Sequence, residues 1–303
     1  MGARVSFVQR VRDSIVLKSP DVEEPIDAYF HRRLAALVTA AVHPTPLRPD
    51  HITWMSLFIG WVASAVMALT VFDVVGDYGY IAAAALLLIS VVLDCADGQL
   101  ARARGGGTRM GRILDGLVDS AVLVPFYVFM GIDILLRHGW PYFALAAVAG
   151  FGAWIQIMVY DRAKSVYLAN TRPGAHADGV ETMEEVLAEY EEIKRSGTLF
   201  ERFMMHTYIN GQLKLSEKFS GSGALNLREV TEESAQAYRA RFRPTMRLAS
   251  ILGLGTHMFF IYGGVLLLGW SQWGTVATQV VFVTLFIPMF LVISRIKVMN
   301  QAP

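Results

Sequence analysis

The chain has 303 residues, 54% of them hydrophobic, and a net charge of +1 at pH 7. So large an apolar fraction excludes an ordinary soluble domain and indicates a membrane protein with several spans. The near-zero net charge does not favour nucleic acid as a partner, and the single cysteine excludes an intrachain disulfide framework.

The N-terminal segment, residues 1–48, is expected to be cytoplasmic and to carry one amphipathic helix over residues 25–42. Apolar side chains recur there at helical spacing, whereas His31, Arg32 and Arg33 lie elsewhere on the helix. Such a helix is predicted to lie in the membrane interface, ahead of a proline-rich turn. The apolar positions are Ile26, Tyr29, Phe30, Leu34, Leu37 and Val38.

The rest of the chain contains six apolar stretches that are long enough to cross a bilayer as helices. In hydrocarbon only a helix or a closed barrel satisfies the backbone hydrogen bonds, and no stretch alternates as a barrel strand would. None shows a pair of glycine or proline breaks. The sequence therefore predicts an all-α integral membrane protein. The predicted spans are residues 52–72, 78–100, 111–135, 140–160, 248–270 and 274–294.

An insertion, residues 161–245, separates the fourth and fifth predicted spans and is expected to be helical and cytoplasmic. It includes an acidic helix with an apolar stripe. The chain is thereby divided into the N-terminal segment, four spans within residues 49–160, this insertion, and two spans with a short tail within residues 246–303. The stripe consists of Val180, Met183, Leu187 and Tyr190.

The distribution of lysine and arginine predicts the orientation of the spans. Of the 27 Lys and Arg residues, only Arg137 falls on the side opposite the N-terminal segment. The positive-inside rule then places that segment, the turn over residues 101–110 and the insertion in the cytoplasm. A bacterial cytoplasmic membrane is the expected location.

Four aspartates stand at the ends of the second and third predicted spans. Asp94 and Asp97 are three residues apart, and Asp115 and Asp119 are four apart, so each pair shares one face of a helix. A short turn joins the two helices, which should run antiparallel and side by side. All four carboxylates are then expected to converge at the cytoplasmic membrane surface, where they would repel one another unless cations lie among them.

An all-carboxylate site suits hard divalent cations, Mg²⁺ first and Mn²⁺ or Ca²⁺ next. Two such ions typically clamp a phosphate group. Near the aspartates, Gly98 removes a side chain that would block a ligand, Ala101 keeps the next turn small, and Arg102 is suited to hold a phosphate, with Arg109 and Arg112 nearby. The alternative for the other cations of this turn is contact with lipid headgroups, which applies to Arg104, Arg109 and Arg112.

The complete pattern, D-x2-D-G-x2-A-R-x8-G-x3-D-x3-D from Asp94 to Asp119, is similar to the signature motif of the CDP-alcohol phosphotransferase family of integral membrane enzymes. This resemblance implies an enzyme of phospholipid synthesis, a homodimer in the bilayer, that uses Mg²⁺ or Mn²⁺, two ions in all. The implied reaction transfers a substituted phosphate group from a CDP-linked donor to the hydroxyl of an acceptor alcohol and releases CMP.

The resemblance also implies roles for the motif residues. Asp94, Asp97 and Asp115 would be metal ligands, and Asp119 would be the catalytic base that takes the proton from the attacking hydroxyl while also contacting a metal. The remaining fixed positions would line the CDP pocket. They are Gly98, Ala101, Arg102 and Gly111.

A second match to the family lies where the first predicted span begins. Family members often carry Thr-Pro-Asn-x-x-Thr there, and Pro49 and Thr53 fit that pattern. Asp50 departs from it, because it stands where the family has asparagine. Pro49 and Thr53 are therefore secondary candidates for the donor site, together with Arg109 and Arg112.

The substrates remain open at the level of the sequence. The usual donor in a prokaryotic member is CDP-diacylglycerol, with a water-soluble alcohol as acceptor. The alternative is a soluble donor such as CDP-inositol, CDP-choline or CDP-ethanolamine with a lipid or an inositol phosphate as acceptor. The amphipathic N-terminal segment and the sequence LDGLVD resemble those of family members that handle inositol-type groups.

Two more distant functions fit the sequence less well. A membrane prenyltransferase also binds a pyrophosphate through aspartates and Mg²⁺, but it needs two separate aspartate-rich motifs rather than one continuous block. An ion transporter usually places its carboxylates near the bilayer midplane on broken helices, whereas these aspartates lie at span ends.

Overall fold

The computed structural model of the protein describes residues 6–15, 20–106, 109–172, 183–199 and 230–302, and a few positions between 201 and 210. For residues 109–115 and 183–187 it describes the backbone alone. Every regular element in these parts of the chain is a helix. The predicted all-α fold class is therefore confirmed.

A π-helical turn, Asp27–His31, leads directly into the second of the described α-helices. These α-helices are α1 (Phe7–Ser14), α2 (Arg32–Val42), α3 (Pro49–Val71), α4 (Tyr78–Ala103), α5 (Arg109–His138), α6 (Trp140–Ala169), α7 (Met183–Ser196), α8 (Glu232–Ala249), α9 (Leu254–Leu267), α10 (Gly274–Thr284) and α11 (Phe286–Gln301).

Six helical stretches among the described residues are long and apolar enough to cross a membrane, and they correspond to the six predicted spans. The chain is thus a multi-pass membrane protein. The fourth stretch ends at Ala169 rather than at residue 160, so it enters the predicted insertion. The stretches are Pro49–Val71, Tyr78–Ala103, Gly116–His138, Trp140–Ala169, Glu232–Leu267 and Gly274–Gln301.

The insertion is described only in part. Helix α7 coincides with the predicted acidic helix, and α8 begins within the insertion and leads into the fifth stretch. Much of the remainder, including Val180 of the predicted apolar stripe, lies outside the described residues. The predicted division of the chain into four segments stays a prediction.

The last two spans are interrupted helices, in contrast to the continuous helices expected. Between α8 and α9 the chain forms a 3-10 turn, Ser250–Leu252, and becomes extended at Gly253. Helices α10 and α11 separate at Leu285. Pro288 explains this second break, because it has no N–H for the carbonyl of Thr284 and its ring crowds that carbonyl. The sequence did not predict these two interruptions, and the aspartates lie on α4 and α5, outside them.

The contacts within the chain define two compact units. The first contains α1 to α5, the beginning of α6, α9 and nearly all of α10, as Met1–Lys18, Glu23–Gly150 and Gly255–Val283. The second comprises Ser19–Val22, Phe151–Leu254 and Thr284–Pro303. The predicted site residues all belong to the first unit.

Helix α3 is the main packing surface of the first unit, since it runs against both α4 and α5. Gly60 permits this approach: a Cβ atom there would lie 2.5 Å from a methyl group of Val122 and 3.0 Å from the hydroxyl of Ser90. The indole of Trp61 donates to the carbonyl of Ala121 at 3.1 Å. Pro125 deprives that carbonyl of its helical donor, so the indole satisfies an acceptor that proline left open.

A buried ion pair joins the beginning of α4 to the end of α5. Asp133, only 2% exposed, accepts hydrogen bonds from the hydroxyl of Tyr80 at 2.7 Å and from Nε of Arg137 at 2.8 Å. Arg137 also donates to the hydroxyl of Tyr80 at 2.8 Å. The two helices are therefore antiparallel, as expected, and the buried carboxylate is neutralised by its partners.

The second unit has an apolar core to which polar side chains are added at its edge. Tyr167, Phe242 and Ile296 are among its fully buried members. At the edge, Asp21 accepts a hydrogen bond from the hydroxyl of Tyr167 at 3.1 Å and pairs with Arg243 at 2.8 Å. Arg243 of α8 therefore binds the short N-terminal segment that contains Asp21.

We expect the substitution Gly60→Ala to lower the thermal unfolding temperature of the detergent-solubilised protein. The added methyl group would press on the stiff side chain of Val122, and overpacking of this kind costs about 1–3 kcal/mol. Gly263→Ala is the matched control, because nothing lies within 4 Å of a Cβ at that helical glycine. Equal unfolding temperatures for the two variants would contradict the close approach of α3 and α5.

Candidate active site

The motif aspartates lie on α4 and α5 at the ends that the connecting turn joins. Asp97 is 4% exposed, whereas Asp94 and Asp119 are half-buried. Asp115 lies one helical turn before Asp119 on α5, and its side chain is outside the described residues. The described part of the motif thus combines one buried and two partly accessible carboxylates.

The two aspartate pairs belong to the adjoining ends of antiparallel helices. Asp94 and Asp97 lie in the last turns of α4, and Asp119 lies near the beginning of α5. The bonds of Asp133 with Tyr80 and Arg137 hold the opposite ends of the same two helices together. The convergence of all four carboxylates stays a prediction, because the side chain of Asp115 is outside the described residues.

The donor set has the chemistry of a site for hard divalent cations, since carboxylate oxygens are the ligands that Mg²⁺ and Mn²⁺ prefer. Among the side chains that the structure describes, no three His, Cys, Asp or Glu groups alone stand close enough to hold an ion. Asp115 was predicted as a further ligand and is not among those side chains. The metal site therefore remains a prediction that needs all four acids.

Thr53 connects the first turns of α3 to the motif. Its hydroxyl donates to Oδ2 of Asp97 and lies 3.2 Å from the carbonyl oxygen of Pro49. Thr53 is 7% exposed, so this hydrogen bond is shielded from water and stabilises the buried carboxylate. Pro49 begins α3, where its missing N–H is not needed by the helix. The structure thereby joins the second sequence match to the first.

Two residues close to Thr53, His51 and Asp50, stabilise the beginning of α3 instead. His51 accepts a hydrogen bond at Nδ1 from the backbone N–H of Arg48 at 3.2 Å, and so caps the beginning of α3. Asp50 is exposed in the first helical turn, where a negative charge favours the helix dipole. Neither side chain is joined to the motif in the way that Thr53 is.

Gly98 and Arg102 are neighbours one turn apart on α4. The half-buried guanidinium of Arg102 folds back so that a Cβ atom at Gly98 would lie 3.3 Å from its Nη1. The space that glycine leaves is therefore adjacent to a cation, which suits a pocket for an anionic group. Ala101 is half-buried beside them. Gly111, Arg109 and Arg112 lie in the first turn of α5, where only the backbone is described.

Arg104 organises the proline-rich turn that precedes α3. Its guanidinium donates to the carbonyl oxygens of His43 at 3.1 Å, Thr45 at 2.9 Å and Leu47 at 2.5 Å. This differs from the expected contact with lipid headgroups. The arginine at the end of α4 instead fixes the chain that leads into Pro49 and Thr53.

The predicted amphipathic segment, which forms the π-helical turn and α2, exposes several apolar side chains and buries a face made of small and polar residues. Tyr29, Phe30 and Leu37 are exposed, as expected of a helix in the membrane interface. His31 and Arg32, which the sequence placed away from the apolar face, are 0% and 7% exposed. This buried face was not predicted from the sequence. The feature that indicates it is a run of small residues at helical spacing, namely Ala35, Ala36, Thr39 and Ala40, all fully buried.

Comparison with known proteins shows that residues 47–178 match the profile of the CDP-alcohol phosphatidyltransferase family. The phosphatidylinositol phosphate synthase of Mycobacteroides abscessus is 37% identical over 92 residues, which are 30% of this chain and 38% of that protein. Proteins of the same name from Mycobacterium bovis and Mycobacterium tuberculosis are 40% identical over 73 residues, 24% of this chain and 30% of theirs. The matched part thus spans well under half of each relative. No solved structure matches the chain.

We expect Thr53→Val to lower the thermal unfolding temperature of the protein in detergent. The isosteric change removes the donor to a buried carboxylate, and such a loss costs about 1–3 kcal/mol. Thr53→Ser, which keeps the hydroxyl, is the control and should stay close to the wild type. If valine and serine variants unfold at the same temperature, the hydrogen bond to Asp97 contributes nothing to stability.

Proposed function

We propose, from the match of residues 47–178 to the CDP-alcohol phosphatidyltransferase family, that this membrane protein transfers a substituted phosphate group from a CDP-linked donor to the hydroxyl of an acceptor alcohol. CMP is the second product. The observation that carries the proposal is the placement of Asp94, Asp97 and Asp119 at the adjoining ends of two antiparallel helices inside the matched region, with Asp97 bonded to Thr53 of α3.

Asp94, Asp97, Asp115 and Asp119 would hold two divalent ions, Mg²⁺ or Mn²⁺. When bound, such ions supply charge neutralisation for the pyrophosphate of the donor and for the CMP that leaves. The aspartates differ in their surroundings and therefore in their proposed roles. Asp97 is held by Thr53 and keeps α3 and α4 in register, whereas the half-buried Asp94 and Asp119 remain accessible to substrate.

Asp119 is proposed as the base of the reaction. The acceptor oxygen forms a bond to the β-phosphorus of the donor while the bond from that phosphorus to the bridging oxygen of CMP breaks. The proton of the attacking hydroxyl passes to the carboxylate of Asp119. This step needs no covalent enzyme intermediate. It agrees with direct phosphoryl-group transfer, in which the enzyme positions the substrates and stabilises charge.

The donor nucleotide is proposed to bind beside the end of α4. Gly98 and Ala101 leave room there, and Arg102 provides a cation for the pyrophosphate. Gly111 would allow close approach on the α5 side. Secondary contacts are assigned to the start of α3 and of α5, that is, to Pro49, Thr53, Arg109 and Arg112.

We propose CDP-diacylglycerol as donor and an inositol phosphate as acceptor. The support is the name of three mycobacterial relatives, phosphatidylinositol phosphate synthase, together with the membrane location of the site. A lipid donor enters laterally from the bilayer, and the phosphorylated acceptor enters from water. The site is accordingly placed at the cytoplasmic face of a bacterial inner membrane, as the lysine and arginine distribution predicts. A homodimer is the proposed assembly.

The substrate assignment predicts CMP release from purified protein given Mg²⁺, CDP-diacylglycerol and inositol phosphate. Mass spectrometry should identify phosphatidylinositol phosphate as the lipid product, and chelation with EDTA should stop the reaction. The same assay with serine, glycerol phosphate or free inositol provides the controls. Turnover only with a soluble CDP-alcohol would move the assignment to the alternative donor class. Solute flux in vesicles without any CMP release would contradict an enzyme of this kind.

The role of Asp119 predicts that Asp119→Asn lowers the rate of CMP release by about 10²–10⁴-fold, the usual contribution of general base catalysis. Binding of CDP donor in the presence of Mn²⁺ should largely persist, as measured by isothermal titration. Asp94→Ala should weaken that binding, because it removes a ligand. Asp77→Asn, at an exposed aspartate on the far end of α4, is the control. Full activity of Asp119→Asn would remove it as the base.

A further inference from the structure

The inner face of the N-terminal segment carries more buried charge than a helix resting on lipid requires. Glu23, Glu24 and Arg32 are 5%, 6% and 7% exposed, and His31 is fully buried. Burial of charged groups is unfavourable unless each finds a partner. Together with Asp27 and Thr39 these side chains form a polar clamp, which consists of Glu23, Glu24, Asp27, His31, Arg32 and Thr39.

One side of the polar clamp binds the beginning of α9. Glu24 accepts a hydrogen bond from the backbone N–H of Thr256 at 3.1 Å. Asp27 lies against Gly255, where any side chain would collide with its carboxylate. Helix α9 starts directly after the interruption of the fifth span, so its first N–H groups have no helical acceptors. Glu24 supplies an acceptor there, and both carboxylates place negative charge at that helix terminus.

His31 strengthens this connection farther along α9. Its Nδ1 lies 2.8 Å from Oδ1 of Asp27, and its Nε2 lies 3.0 Å from the hydroxyl of Tyr262. The rings of His31 and Tyr262 also meet edge to face. A chain of contacts therefore runs from Asp27 through the buried imidazole to the middle of α9.

The other side of the polar clamp binds α4 within the motif. The side chain of Gln99, 1% exposed, donates from Nε2 to the carbonyl oxygen of Arg32 at 2.9 Å. The hydroxyl of Thr39 lies 3.1 Å from Oε1 of Gln99 and 3.3 Å from the carbonyl oxygen of Ala96. Ala96 and Gln99 flank Asp97 and Gly98. Arg32 is fixed in turn by Glu23 at 2.6 Å.

The polar clamp therefore contacts α4 inside the aspartate motif, since its hydrogen bonds reach Gln99 and the carbonyl oxygen of Ala96, on either side of Asp97 and Gly98. We propose that the polar clamp positions the aspartate motif by tying α4 to α9. Its members are positioning residues for the phosphoryl-group transfer, and in this respect the inference rests on the proposed function. The N-terminal segment is then part of the catalytic unit, in addition to any contact with lipid.

The test uses Cys95, the only cysteine of the chain, as a reporter inside the motif. Two isosteric changes loosen the polar clamp on opposite sides: Thr39→Val removes the hydroxyl facing α4, and Tyr262→Phe removes the hydroxyl facing His31. The rate of maleimide labelling of Cys95 in the full-length protein is expected to rise at least threefold in each variant. The kcat for CMP release should fall about tenfold with KM for the donor within twofold, because misplacement of catalytic groups acts mainly on the transition state.

Matched controls separate positioning from a general loss of stability. Thr39→Ser should restore the wild-type labelling rate and kcat, since it keeps the hydroxyl. Tyr29→Phe changes an exposed tyrosine of the same segment and should leave both readouts unchanged. Thermal unfolding of all variants is followed in parallel.

The outcomes distinguish this inference from the proposed function. Unchanged labelling and kcat in both Thr39→Val and Tyr262→Phe would overturn the polar clamp while leaving the enzyme assignment intact. A lower unfolding temperature with unchanged labelling and kcat would also overturn it, because the residues would then be structural only. Absence of CMP release from wild-type protein would instead refute the proposed function, and faster labelling of the variants would still support the link between the polar clamp and the motif.

Discussion

The structure depends on the cost of placing carboxylates where little water reaches them. An acid in such surroundings must be neutralised by a cation, by hydrogen-bond donors or by a change of its protonation state. The first unit uses a different solution for each buried acid. Asp133 has Tyr80 and Arg137, Asp97 has the hydroxyl of Thr53, and Glu24 has the backbone N–H of Thr256 at the start of α9. For the acids of the motif, divalent ions are the proposed partners.

These polar partnerships work because the apolar packing holds the helices in register. Gly60 lets α3 approach α4 and α5 closely enough for Thr53, about two turns away on the same face of α3, to reach Asp97. Small residues do the same for α2, whose alanines allow Thr39 to meet Gln99. Close approach by small side chains is the usual way in which membrane helices associate, since lipid gives no hydrophobic drive between them. Packing and chemistry are therefore set by the same short side chains.

Much of the fold could be predicted because a long apolar run is a strong signal, and the beginnings of α4 at Tyr78 and of α10 at Gly274 were predicted to the residue. Spacing also predicted which aspartates share a helix face. It did not predict which face of the N-terminal helix meets the protein, because periodicity groups residues without saying which neighbour they face. The burial of His31 and Arg32 was not predicted for that reason. The contacts of Thr39 with Gln99 and of His31 with Tyr262 join positions distant in the chain, and no local pattern encodes them.

The pairing of Asp133 with Arg137 has a consequence for how the protein is inserted into the bilayer. In the orientation that the cation distribution predicts, Arg137 is the one basic residue that has to be carried across during biogenesis. Asp133, one helical turn earlier, cancels that charge, so this pair adds no net charge to the hairpin that crosses the lipid. The topogenic signal thus stays concentrated in the arginines that are retained on the other side.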